Sequence, residues 1–256
     1  MASGGCVRWN ESGGMGLDSP QPVVTFDLDD TLYPERDFAL SGYRAVVSAL
    51  DLPTELASVA FNAMAAALDA RGNPFDALAA AVGARIGARD GIRRLVEISR
   101  THFPDIRLPG PSLDILRWLR ASGIATALVT DGRSLTQRNK IAALGLGRFF
   151  SPCSIFISEE TGHQKPDPDS FRRIMELYGS HRHYIYVGDN PAKDFIAPNI
   201  LGWTTVALSD RGSNIHRQPL VYGHPSSPDV VIESLSQVRS LLTPDFMEKR
   251  KFGIGF

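Results

Sequence analysis

Five short apolar runs, each rich in β-branched or aromatic residues, recur along this chain and constrain its fold more than any other feature. They cover residues 22–26, 125–130, 154–157, 184–187 and 203–207. None alternates cleanly between polar and apolar residues, so they predict strands buried on both faces. Helical patterns lie between them. In 111–121, Leu113, Leu116 and Leu119 recur at three-residue steps, while 135–144 and 170–178 run up to Gly145 and Gly179, residues suited to stop a helix. Strand and helix in alternation predict an α/β fold: a Rossmann-like parallel sheet flanked by helices. Such sheets bind ligands outside the carboxyl ends of their strands.

One interval breaks the rhythm. Asp27 and Thr130 end the first two runs and lie 103 positions apart, whereas a strand–helix–strand unit needs roughly 30 residues. The surplus reads as helices over 38–50, 55–70, 75–82 and 92–101. It predicts an inserted all-helical cap over residues 36–106, within a core made of 22–35 and 107–243. Residues 1–21, rich in Gly and Ser, read as a flexible leader, and 244–256 as a C-terminal tail. Lys plus Arg number 27 against 28 Asp plus Glu. That balance offers no basic field for nucleic acid or an anionic membrane. No apolar run is long enough to span a bilayer and no signal segment is evident, so the expected location is the cytoplasm. Two cysteines, Cys6 and Cys153, are too few for a disulfide framework or a zinc site.

The residues that end the runs carry the chemistry. Asp27, Asp29 and Asp30 follow the first, with Thr31 beside them. Clustered acids at a buried strand end repel one another, and a hard cation such as Mg²⁺ would relieve them. The same residues could also cap a helix or form an Asx turn. Gly188-Asp189-Asn190 ends another run, with Pro191 expected early in the next helix and Asp194 close behind. Thr130, followed by Asp131 and Gly132, places a hydroxyl and backbone N–H groups at a helix start, an anion site. Lys165, one of only five lysines against 22 arginines, stands just before Pro166 in a short loop. All four segments belong at the same end of a parallel sheet. Together they offer carboxylates for a metal, a hydroxyl for an anion and a cation against it, the requirements of phosphoryl transfer.

With these residues in this order, the sequence resembles the haloacid dehalogenase-like (HAD) hydrolase superfamily. Its four motifs match Asp27-Leu28-Asp29-Asp30-Thr31, Thr130, Lys165 and Gly188-Asp189 with Asp194, across roughly residues 22–240. The resemblance implies Asp27 as nucleophile through an aspartyl-phosphate and Asp29 as general acid and then base. Asp27, Asp189 and the Asp29 carbonyl would hold Mg²⁺, and Thr130 and Lys165 would bind the phosphoryl group with Asp131 and Gly132. Thr31, Asn190 and Asp194 would support them, and 32–35 falls where the family has its mobile flap. It further implies a phosphatase acting on a small phosphorylated metabolite, a sugar phosphate or a nucleoside monophosphate, screened by the cap. The acid at position 29 argues against a dehalogenase, because halide leaves without a proton. A phosphomutase and a non-catalytic binding protein remain as alternatives. The sequence leaves the oligomeric state undetermined.

Overall fold

A computed structural model of the chain describes residues 21–86, 90–210, 212, 214–216, 225–243 and 245–246. All but one position of the leader, and most of the tail, lie outside that set. Six strands form one parallel sheet: β1 (Val23–Phe26), β2 (Ala125–Thr130), β3 (Ile155–Ile157), β4 (Tyr184–Gly188), β5 (Thr204–Leu208) and β6 (Val230–Ile232). The spatial order is β3-β2-β1-β4-β5-β6. The chain builds outward from β1 on one side, then returns beside β1 with β4 and builds outward on the other. The switch point therefore falls between β1 and β4, where open α/β sheets bind ligands.

The first five strands correspond to the five apolar runs, with no end displaced by more than one residue. Every residue of β1 and β4 is buried, as strands covered on both faces require. The sequence reading missed β6. It is an apolar run of only three residues, Val230-Val231-Ile232, closed off by Asp229 and Glu233, too short to stand out as a strand.

The chain divides into two compact units. One contains residues 1–34, 108–134 and 145–256; the other contains 35–107 together with 135–144. In the first, the helices are α5 (Gly110–Ala121), the short α7 (Ser158–Thr161), α8 (Asp169–Tyr178) and the short α9 (Ile196–Ile200). α8 turns Phe171 and Ile174 into a core shared with Ala127, Val129, Tyr186 and Trp203. The Phe171 ring meets Tyr186 and Trp203 edge-on, with centroids 5.1 and 5.3 Å away. Each such side chain stabilises the fold by about 1.5–3 kcal/mol through burial. Pro191 is not part of the next helix: residues 191–195 form turns, and α9 begins at Ile196. The reason is local, since the Asn190 side chain accepts from Ala192 N–H (3.1 Å) and holds a turn.

The second unit is helical: α1 (Glu35–Ala49), α2 (Thr54–Asp69), α3 (Pro74–Val82) and α4 (Asp90–Thr101), with most of α6 (Ser134–Ala143). Tyr43, Val46, Met64, Leu78 and Leu95 form its own core. The start of α1 is tied to the end of α2 by a two-pronged ion pair, Arg36 Nε and Nη2 to the Asp69 carboxylate, both at 2.9 Å. No helix among the described residues is long and apolar enough to cross a membrane.

Candidate active site

Parallel pairing sets the depth of each functional group. Phe26 lies opposite Leu128 on β2 and Val187 on β4, so the residues just past the three strands emerge at one level. Asp27 N–H still donates to Val187 carbonyl (2.9 Å), which anchors the first acid where β1 ends. The chain then turns sharply at Asp30, whose φ of +54° is left-handed, a conformation that Asp tolerates better than most residues. That turn lets Tyr33 come back beside Asp29.

Lys165 enters from the loop after β3 and is the centre of the cluster. Its Nζ lies 2.7 Å from Asp27 Oδ1 and 2.7 Å from Asp194 Oδ1, and it donates to Tyr186 Oη at 3.1 Å. All four groups are buried. Burial alone would lower the Lys165 pKa, yet Asp194 and Asp27 hold it well above its usual value. The amine is charged. Its backbone N–H is fixed as well, donating to Asp131 Oδ1 (3.1 Å).

Asp194 has no oxygen to spare. Its Oδ1 faces Lys165, and its Oδ2 accepts the N–H groups of Asp189 (3.2 Å) and Asn190 (2.9 Å). It closes the turn after β4 and orients the lysine. Gly188 makes this approach possible, since a Cβ there would stand 2.6 Å from Asp194 Oδ2.

Among the described residues, Asp27, Asp189 and Asp194 form one group whose oxygens lie within 4.8 Å of one another. Asp194 is wholly buried and tied to Lys165, whereas Asp27 and Asp189 end the two strands at the switch point and are the pair that could face a cation. Burial pushes Asp27 up to about 6, with Lys165 pulling against it. Burial, and then the charges of Asp27, Asp194 and Asp30, push Asp189 up to about 9. Two carboxyl groups, one buried and one half-buried, that resist ionising side by side need more positive charge than one lysine supplies. An all-oxygen donor set of this kind fits Mg²⁺.

The remaining expected residues fall around this pair. Asp29 is half-buried, and its Oδ1 accepts the Tyr33 hydroxyl at 2.5 Å. Thr31 Oγ1 donates to Asp189 Oδ1 at 3.4 Å. Thr130 is buried at the end of β2. Gly132 N–H is directed elsewhere, donating to Ser158 Oγ (2.9 Å), and Ser134 N–H, at the start of α6, donates to Glu159 Oε2 (2.7 Å). The backbone donors at that helix start are thus met by side chains from α7.

Several residues at the site had no place in the sequence reading. Lys193 Nζ reaches Asp131 Oδ2 (3.3 Å). Burial and Lys165 would lower its pKa, but Asp27, Asp194 and Asp131 raise it above its usual value. Its rarity as a lysine, next to Asp194, was the signal that could have found it. Asn214 and Ile215, from the segment after β5, touch Asp189 and Asp30; nothing local marks them. His163 pairs with Asp167 at the surface (3.0 Å).

A family model for haloacid dehalogenase-like hydrolases matches residues 22–199, and a HAD-hydrolase-like model matches 163–238. The chain belongs to the haloacid dehalogenase-like hydrolases. The glyceraldehyde 3-phosphate phosphatase of Methanocaldococcus jannaschii is 30% identical over 195 residues, covering 72% of this chain and 83% of that protein. A phosphoserine phosphatase of Thermus thermophilus is 39% identical over 94 residues, 36% of each chain. Among solved structures, the HAD-hydrolase YfnB of Bacillus subtilis, described as bound to magnesium, superposes with a TM-score of 0.59 at 21% identity, covering 88% of this chain and 100% of that one. It shares the fold.

Proposed function

We propose that this chain is a Mg²⁺-dependent phosphomonoester hydrolase acting on a small phosphorylated metabolite. The single observation that carries the reading is the pairing of buried Lys165 with Asp27, 2.7 Å apart, beside Asp189 at the sheet's switch point. A nucleophilic carboxylate and its cation are thereby held in one place before substrate arrives.

In this reading the Asp27 carboxylate attacks the ester phosphorus and the phosphorus–oxygen bond to the leaving group breaks. Asp29 gives its proton to the departing alkoxide, leaving an aspartyl-phosphate on Asp27. A water then attacks that phosphorus, Asp29 takes the proton, and inorganic phosphate leaves with Asp27 regenerated. Lys165 and Thr130 bear on the phosphoryl oxygens, and Lys165 offsets the charge that accumulates on them. Asp27, Asp189 and the Asp29 carbonyl would hold Mg²⁺, which when bound supplies the remaining positive charge against the phosphoryl oxygens. Tyr33 keeps Asp29 aimed.

The substrate class draws support from the relatives, which are named for glyceraldehyde 3-phosphate and phosphoserine. Both are three-carbon primary phosphate esters. The first panel is therefore triose phosphates and phosphorylated hydroxy and amino acids, followed by hexose phosphates and nucleoside monophosphates. Phosphate release is measured with Mg²⁺ and with EDTA, beside Asp27→Asn. Release that needs Mg²⁺ and disappears in the variant is the expected result. A folded wild-type protein that releases no phosphate from any of these compounds overturns it.

A further inference from the structure

Beyond the family motifs, a short segment past β5 closes on both acidic strand ends. Asp210 Oδ1 accepts the N–H groups of Gly212 (2.6 Å) and Asn214 (3.1 Å), a side chain gathering backbone donors that follow it. Asn214 Nδ2 donates to Asp189 Oδ2 at 2.9 Å. The next N–H, of Ile215, donates to Asp30 Oδ2 at 3.0 Å. One segment therefore grips the acid after β4 and the acid turn after β1. With Thr31 on Oδ1, both oxygens of Asp189 are steered by hydrogen bonds.

We propose that Asn214 is a positioning residue that fixes Asp189 in the orientation that receives Mg²⁺, so that Asn214 and Ile215 act as a strap coupled to metal binding. The proposal rests on the reading of Asp27 and Asp189 as the metal site. A carboxylate hung on a single bond beside other acids lowers its energy by swinging away from them. A donor on one oxygen opposes this, because it holds the group in one rotamer. An amide suits this task better than a lysine or arginine. It orients the carboxylate and leaves the negative charge for the cation. The coupling is reciprocal: if the strap favours the metal, the metal favours the strap.

The test is Mg²⁺ titration by calorimetry on the full metal-free chain, with Asp189→Asn, Asn214→Ala and Asn214→Gln beside wild type. Loss of an outer-shell partner of this kind weakens metal binding by about 10–100-fold, and that is the shift expected for Asn214→Ala. The glutamine variant, which keeps the amide, should recover part of it. In wild type, Mg²⁺ should slow hydrogen exchange of the Asn214 and Ile215 amides. This readout needs no variant and decides the matter if Asn214→Ala fails to fold. Asn214→Ala binding as tightly as wild type overturns the strap, as does exchange at Asn214 and Ile215 that ignores Mg²⁺. Wild type binding no Mg²⁺, or binding it no better than Asp189→Asn, overturns the metal site and the strap with it.

Discussion

Lys165 Nζ stands 2.7 Å from Asp27 Oδ1 across 138 residues of sequence, with both side chains buried. The same nitrogen is 2.7 Å from Asp194 Oδ1. One cation thus bridges two carboxylates that the sheet and the turn after β4 force together. The residue that would offset phosphate charge in the reaction also offsets the mutual repulsion of these two carboxylates.

Replacing Lys165 by Met leaves Asp27 and Asp194 facing each other without the cation that bridges them. Breaking a buried pair of this kind costs about 3–5 kcal/mol, and urea unfolding should show a loss of that order together with loss of phosphate release. Adding Asp27→Asn to Lys165→Met should return part of the stability, because one of the two stranded charges is then gone. A simple sum of the two single losses would mean that the pair is not coupled.

Metal-free stability should fall as pH rises. Asp189 is pushed up to about 9 in the folded protein and Asp27 to about 6, from an ordinary 3.8. Below about 4 both states are protonated, and neither group favours unfolding. As pH climbs from there, the unfolded chain ionises first, so these groups penalise the folded state progressively until about 9. Asp189→Asn should therefore melt higher than wild type at pH 8 in EDTA and at nearly the same temperature at pH 4. Added Mg²⁺ should reverse the order at pH 8. Equal melting temperatures at pH 8 in EDTA would refute the burial argument.

Tyr33→Phe removes the hydroxyl that donates to Asp29 at 2.5 Å and leaves the buried ring in place. A hydrogen bond to a charged group contributes about 1.5–3 kcal/mol, so kcat should drop roughly tenfold or more. Mg²⁺ affinity should not move, because the lost bond serves the proton-transfer group. Calorimetry and steady-state kinetics separate the two.

Gly188→Ala tests how tightly the turn after β4 is packed. The added methyl would meet the Asp194 carboxylate at 2.6 Å. Asp194 is fully buried and bonded on both oxygens, so it cannot yield without releasing Lys165. Overpacking of this sort costs about 1–3 kcal/mol, read as a lower melting temperature, and phosphate release should fall with it. A variant with wild-type melting and turnover would show that the turn can absorb the methyl.

The sheet and the main acids were legible in the amino-acid order, because both are local properties. A strand buried on two faces must be an unbroken apolar run, and the residue that ends the run must sit at the sheet's edge. This reasoning located β1, β2, β3, β4 and β5, and with them Asp27, Thr130 and Asp189. Lys165 stood out by its scarcity and its place before Pro166. The tertiary structure alone decided what each group meets. Asp194 serves Lys165 and two N–H groups; Gly132 N–H turns to Ser158; Asn214 caps Asp189 and Ile215 reaches Asp30 from 185 residues away. Residues 135–144 join the helices of 35–107, and β6 forms from only three apolar residues, too few to announce a strand. These outcomes depend on where the chain returns after a long excursion. Burial stamps a pattern on every few residues of an element, whereas a single hydrogen bond between distant segments leaves no periodicity to read.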